Sequence, residues 1–160
     1  MLDVACGSGR HMQWLGGRGH AVTGVDRATE AVDAAAPFGR TVLADIESGP
    51  WPFGGQAFGG VVVTNYLWRP RLGDIVAAVA PGGVLLYETF AAGNETVGKP
   101  SRPDFLLQPG ELLTACQGLR VVAYEDGFLP APDRFVQRIA AVRPNERSGS
   151  TPARHLLESD

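Results

Sequence analysis

The segment Cys6-Gly7-Ser8-Gly9 constrains this chain more than any other. It follows a short apolar stretch, Leu2 to Ala5, that carries one acid, Asp3. It precedes a helical pattern from Arg10 to Arg18 in which Met12, Trp14 and Leu15 are apolar. A glycine turn between a strand and a helix lets the backbone approach a ligand, and the start of the helix favours a negative group. Two further strand-like stretches also close on acids. Ala21 to Val25 stops at Asp26, 17 residues after Gly9, and Thr41 to Ala44 stops at Asp45, 19 residues further on. Asp26 is placed to accept hydrogen bonds from ribose hydroxyls. Asp45 is placed to accept from an adenine amino group, with Ile46 against the ring. The alternative is that Gly7 and Gly9 only make a tight turn and the acids cap helices.

The rest of the chain continues the alternation. Thr29 to Ala36 reads as a short helix with Thr29 as its cap and Pro37 as its stop. Phe58 to Thr64 contains Val61-Val62-Val63, a run suited to a parallel strand buried on both faces. Arg71 to Ala80 reads as helix, Pro81-Gly82-Gly83 as a turn, and Val84 to Phe90 as a fifth strand. A helix near Glu111 to Gln117 and strands near Leu119 to Asp126 and Phe135 to Val142 follow. Alternating strands and helices on short crossovers predict an α/β domain with a mostly parallel sheet. The connection Gly127 to Arg134 is too short for a crossover helix, so one of the last two strands runs antiparallel. The domain is expected over 1–143. The Asn, Glu, Arg, Ser, Gly, Thr and Pro of 144–160 read as a mobile tail.

Composition excludes several classes. A length of 160 residues predicts one domain. A net charge of −3, with thirteen scattered Arg and a single Lys, gives no footprint for nucleic acid or a membrane surface. Cys6 and Cys116 form no CxxC and no ligand cluster, so neither a disulfide framework nor a metal is expected. No apolar run reaches membrane-spanning length and no leader pattern opens the chain, so a cytoplasmic location is expected. The glycine loop also discriminates between nucleotides. A dinucleotide fingerprint wants Gly or Ala three places after its second glycine, to pack a helix under a pyrophosphate. Met12 stands there, which favours the smaller methionyl carboxylate of S-adenosylmethionine over NAD or FAD.

The stretch Leu-Asp-Val-Ala-Cys-Gly-Ser-Gly-Arg-His, Leu2 to His11, resembles motif I of class I S-adenosylmethionine-dependent methyltransferases. Val22 to Asp26, Ala44-Asp45-Ile46 and Ala80-Pro81-Gly82-Gly83 resemble the later motifs in the right order, so the likeness covers about Leu2 to Val142. Within that superfamily the chain is most similar to small-molecule enzymes of the tellurite-resistance-related kind. The resemblance implies a Rossmann-like three-layer sandwich with strand order 3-2-1-4-5-7-6 and strand 7 antiparallel. It implies methyl transfer to a small molecule, with Asp3, Ala5, Cys6, Gly7, Gly9, Arg10, Asp26, Asp45 and Ile46 around the cofactor. A remnant that binds S-adenosylmethionine or S-adenosylhomocysteine without catalysis is the alternative.

Three departures stand out. Ala5 replaces a common motif glycine, a change the turn is expected to tolerate. Asn65-Tyr66-Leu67-Trp68 lacks the prolines of amino-methylating enzymes. Met1 falls at the first strand, where the family has an upstream covering segment; a shortened chain is expected to leave apolar surface bare near strands 1 and 4 and to bind its cofactor weakly.

For the acceptor, Asn65 and Tyr66 are candidates to position the reacting group, with a capping Asn and a packing Tyr as the alternative. Arg10 is a partner for the methionyl carboxylate or a solvated side chain, and His11 a base or a surface residue. Glu88 is either a paired acid or a site acid. Ala91 to Gln108 reads as a lid or as a surface excursion, and its Lys99 and Arg102 would suit an anionic acceptor. Asp26, at a solvated strand end, is expected to add little to stability.

Overall fold

A computed structural model describes residues 1–145. The expected tail, 144–160, lies outside the described residues beyond Asn145. Strands β1 (Leu2–Val4), β2 (Thr23–Asp26), β3 (Arg40–Leu43), β4 (Phe58–Thr64), β5 (Val79–Phe90), β6 (Arg120–Leu129) and β7 (Arg134–Val142) form one sheet in the order β3-β2-β1-β4-β5-β7-β6. Helices α1 (Arg10–Gly16), α2 (Thr29–Ala35), α3 (Leu72–Ala77) and α4 (Glu111–Ala115) cover it. Strands β1 to β5 pair in parallel, and β7 runs antiparallel to both β5 and β6. The expected order and the antiparallel seventh strand are both present. Only residues 130–133 separate β6 from β7, which forbids a crossover and forces a hairpin.

β1 is central because all three of its residues are buried. Leu2 pairs with Thr23 on one side and Val61 on the other. Val61, Val62 and Val63 are buried on both faces, as a parallel inner strand requires. Residues alternate between two unequal cores. Leu2, Val4, Val25, Val61, Val63, Leu85, Tyr87 and Ile139 face the larger one, filled by Phe53, Ile75 and Leu112. Trp51, Phe53 and Phe58 stack edge to face at 5.4 and 5.5 Å within it, a packing role rather than a binding platform. The smaller core joins Cys6, Met12, Leu15, Val22, Ala35 and Val62 under α1 and α2. Gly24 makes that seat possible: a Cβ there would lie 2.3 Å from Met12 Sδ and 2.8 Å from Cys6 Sγ.

The bare apolar surface is displaced from where the sequence puts it. β1 and the valines of β4 are buried, since Met12 and Cys6 cluster with Val62. The uncovered strip lies instead on the same face of β5, β7 and β6, where Leu86 is 47% exposed beside Ala140 and Ala123. Glu88, Arg138 and Glu125 form an ion-pair ladder across it, so Glu88 is a paired acid.

Element boundaries move for identifiable reasons. Thr29 is not the cap of α2; Ala28 is, and its N–H donates to Asp26 Oδ1 at 3.0 Å. The α-helix ends at Ala35, just ahead of Pro37 as expected, and Pro37 sits inside a short 3-10 turn, Ala36–Phe38. β5 starts at Val79 rather than Val84, because Phe58 pairs with Val79 before a bulge shifts the register. Arg143 holds this corner, donating to the carbonyls of Val79 and Val76 at 2.6 and 2.8 Å.

Adjacent leucines on β5 test the sidedness of the sheet. Leu85 is 0% exposed, and Leu85→Ala is expected to cost about 2–5 kcal/mol in denaturant unfolding. Leu86→Lys, on the uncovered face, is expected to stay within about 0.5 kcal/mol of the parent.

Candidate functional site

The site lies at the carboxyl ends of β1, β2, β3 and β4, at the switch point where the chain runs outward in both directions from β1 and β4. Backbone strain collects there. Ala5, directly after β1, and Asn65, directly after β4, both have φ of +54°, which few residues other than glycine adopt. Gly7 and Gly9 follow at φ +52° and +83°. The two glycines do different work. A Cβ on Gly9 would lie 2.9 Å from that of Ala35, so Gly9 lets α2 close against the loop. A Cβ on Gly7 would meet nothing within 4 Å, so its outer side is open to a ligand.

Asp26 fastens this loop to β2. Its Oδ2 accepts from the Gly7 N–H at 2.9 Å while Oδ1 accepts from Ala28. Those bonds give Asp26 a structural duty, contrary to the small contribution its strand-end position suggests. Beneath the loop, Asp3 is 1% exposed and its Oδ2 has no hydrogen-bond partner. Burial drives its carboxyl up to about 7, with Asp26 adding to the rise and Arg10 opposing it. His11 Nδ1 stands 3.9 Å from Asp3 Oδ1. Burial and Arg10 lower the imidazole from its usual range, so proton loss from Asp3 and proton gain by His11 are both disfavoured. Burial and the two acids push the Cys6 thiol up to about 12, which makes it a packing group rather than a nucleophile. Arg10 is exposed at the first position of α1.

Two cavities meet above the strands. The first, of ≈ 130 Å³, is lined by Ala5, Asp26, Asp45, Ile46, Glu47 and Tyr66, among others. Four of the residues singled out around the nucleotide therefore converge. Asp45 is also a turn anchor: Oδ1 accepts from the Glu47 and Ser48 N–H groups and Oδ2 from the Ser48 hydroxyl at 2.7 Å. These bonds hold its carboxyl below the usual range. Arg71 fixes the adjoining turn, donating to the carbonyls of Ile46 and Gly49 at 2.6 and 2.5 Å while pairing with Asp74.

The second cavity, of ≈ 290 Å³, shares Glu47 and Tyr66 with the first and adds Asn65, Thr89, Phe90 and Phe105 to its lining. Asn65 and Tyr66 thus sit together at the junction. The Tyr66 hydroxyl is buried without a partner, and burial, with Glu47 next in effect, raises it above the usual phenol range. Tyr87 donates its hydroxyl to the Tyr66 carbonyl at 2.8 Å.

Residues 91–108 form one wall of this second cavity and are strapped down rather than free-standing. Ala91 and Ala92 donate to the carbonyls of Phe135 and Leu107, and Asn94 bridges Pro100 and Phe135. Arg69 clamps the far end, pairing twice with Glu111 at 2.7 and 2.9 Å and donating to the carbonyls of Asp104 and Leu106. Sequence reading misses this clamp because its partners are 42 residues apart. It misses Glu47 too, although a position two places after Asp45 in the same turn was the available signal. Among the described residues, no three His, Cys, Asp or Glu gather to hold a metal ion, and no helix is long and apolar enough to cross a membrane.

Two variants test the electrostatics and strain. Between about pH 4 and about pH 7 the unfolded chain releases the Asp3 proton while the folded chain keeps it, so stability falls as pH rises through that window. Asp3→Asn removes that titration, so the stability difference, variant minus parent, is expected to grow from pH 4.5 to pH 7.5. An unchanged difference in urea unfolding at the two pH values would refute the burial argument. The left-handed Ala5 contradicts the expected tolerance of the turn: a Cβ there costs about 1–2 kcal/mol, partly offset by the greater unfolded-state entropy of glycine. Ala5→Gly is therefore expected to raise stability by about 0.5–1 kcal/mol in the same assay.

Comparison with known proteins agrees with this geometry. A family model described as a methyltransferase domain matches residues 1–83, which include the glycine loop, both acids and β4. A malonyl-[acyl-carrier protein] O-methyltransferase from Serratia marcescens is 33% identical over 100 residues, 59% of this chain. That match spans only 39% of the relative's length. TehB from Haemophilus influenzae superposes with a TM-score of 0.70 at 19% identity, over 89% of this chain and 57% of that one. An S-adenosylmethionine-dependent methyltransferase from Methanosarcina mazei does so with a TM-score of 0.67 at 17% identity, over 91% of this chain and 92% of that one. At such identities the structural likeness is one of fold. The family match, over more than half of the chain, places it in the methyltransferase domain family.

Proposed function

We propose that this chain transfers a methyl group from S-adenosylmethionine to a small-molecule acceptor, with the cofactor in the first cavity and the acceptor in the second. The observation that carries this reading is the shared wall: Glu47 and Tyr66 line both cavities, so ligands in the two would meet at Tyr66 and its neighbour Asn65. When bound, S-adenosylmethionine supplies a methyl group on a positively charged sulfur, an electrophile that needs mainly an aligned nucleophile.

The residues present fit that cofactor. Asp26 spends one acceptor position of each oxygen on backbone N–H groups and keeps others for ribose hydroxyls. Asp45 uses three acceptor positions, leaving one for an adenine amino group, with Ile46 against the ring. Ala5, Cys6, Gly7 and Gly9 shape the loop, and the open side of Gly7 gives the ligand room. Asp3, buried with an orphaned oxygen, suits the cationic end of the methionyl group. Arg10 suits its carboxylate. Asn65 and Tyr66 orient the acceptor. Because Tyr66 is held in its phenol form, it donates a hydrogen bond rather than taking a proton.

S-adenosylhomocysteine is expected to bind and raise the melting temperature, whereas NAD is not. Asp26→Ala removes charge-assisted bonds and is expected to weaken S-adenosylhomocysteine binding by roughly 10- to 100-fold in calorimetry. It is also expected to lower stability by about 1–3 kcal/mol, since the Gly7 and Ala28 N–H groups lose their acceptor. A variant that binds S-adenosylhomocysteine as the parent does would reduce Asp26 to a loop anchor. NAD binding without any response to S-adenosylhomocysteine would overturn the proposal.

A further inference from the structure

We propose that the second cavity selects an acceptor that is neutral or positively charged, and that it rejects carboxylates and other small anions. The inference rests on the cavity being the acceptor site of the proposed reaction. It follows from what lines that cavity: one carboxylate and, among the described residues, no cation.

Part of the lining is apolar: Leu67 is buried in it, and Phe90, Pro100 and Phe105 contribute rings. Such surface favours an acceptor with an apolar body. Of the polar residues in the lining, Asn65 is exposed and serves an acceptor hydroxyl or amine. Glu47 is the only charged residue in the lining. Its one ion-pair partner, Arg27, reaches it at 3.4 Å from a side chain that is mostly exposed. That contact is long and open to water, so it compensates the carboxylate weakly.

Among the described residues, no cation contributes to the lining of this cavity. Arg69 is consumed by Glu111 and two carbonyls, and Arg71 by Asp74 and two carbonyls. Arg102 lies over the Phe105 ring at 5.4 Å but is paired with Asp104 at 2.8 Å. Lys99 does not contribute to the lining. The anionic acceptor that Lys99 and Arg102 suggest in the sequence therefore has no free partner in the cavity. A carboxylate placed there would face Glu47 and lose its water without replacement. A cation would gain what the anion loses, and would meet aromatic faces as well.

The test uses three probes that share one phenol ring: tyramine, tyrosol and 4-hydroxyphenylacetate, which are cationic, neutral and anionic at pH 7. Their binding is measured by calorimetry on the protein saturated with S-adenosylhomocysteine. Tyramine is expected to bind at least about tenfold more tightly than 4-hydroxyphenylacetate, with tyrosol between them. Glu47→Gln is expected to shrink the cation–anion ratio to about threefold or less while leaving tyrosol within about twofold. Phe105→Ala is expected to weaken all three in parallel. Equal or tighter binding of 4-hydroxyphenylacetate would overturn the proposal. So would a cation preference that survives Glu47→Gln, or no binding of any probe to the S-adenosylhomocysteine complex. Failure of S-adenosylhomocysteine itself to bind is a separate result, since it strikes the methyltransferase reading before any acceptor is added.

Discussion

The carboxylate of Asp26 is the fastening on which the site depends. Parallel strands deliver their carboxyl ends to one edge of the sheet, but the loops that leave them have no reason of their own to stay together. Asp26 supplies one: it accepts from Gly7 after β1 and from Ala28 ahead of α2. The loop is thereby held open on the outer side of Gly7 and closed on the inner side of Gly9, where Ala35 approaches. Asp45 repeats the device one strand further out, tying down Glu47 and Ser48. Each acid thus organises backbone and keeps lone pairs that, on the proposed reading, serve the cofactor. On that reading binding and local structure cannot be separated at these two positions.

The two faces of the sheet are built to different standards. The larger core is continuous from β2 to β7, and α3, α4 and the aromatic cluster of Trp51, Phe53 and Phe58 fill it. The smaller core ends at Val62. Beyond it, β5, β7 and β6 present Leu86, Ala140 and Ala123 beside a ladder of opposite charges. The charged rungs are what keep a strip of this width compatible with water.

Local signals carried much of this arrangement into the sequence. The alternation of apolar runs with helical patterns, the short link between the last two strands, and the triple valine of β4 were sufficient for a mostly parallel sheet with one antiparallel strand, while its order came from the family resemblance. The glycine loop and the two strand-end acids were legible because each is defined by immediate neighbours. What was not legible depends on partners distant along the chain. Arg69 and Glu111 meet only once β4 and β7 are in place, and the joining of Glu47 to Phe90 and Phe105 in one cavity has no signature in spacing. The bare face was expected at the wrong strands for the same reason. That α1 shields β1 and the middle of β4 is a fact of packing, set by Gly24 admitting Met12 and Cys6. Ala5 shows the limit from the other side: alanine for glycine looks conservative by size, and only its positive φ reveals the strain.

The strapping of residues 91–108 has a consequence for how such a molecule diversifies. The segment is anchored at one end by Ala91, Ala92 and Asn94 and at the other by the Arg69–Glu111 clamp. Between the anchors, Val97 to Arg102 are largely exposed and bear little of the load of the fold. On the proposed reading, the acceptor half of the site is therefore an exchangeable cassette mounted on a fixed cofactor half. Insertions or replacements between the anchors can rewrite the wall that faces the acceptor without disturbing Asp26, Asp45 or the glycine turn. One scaffold can in this way hold its donor constant while its descendants explore new substrates.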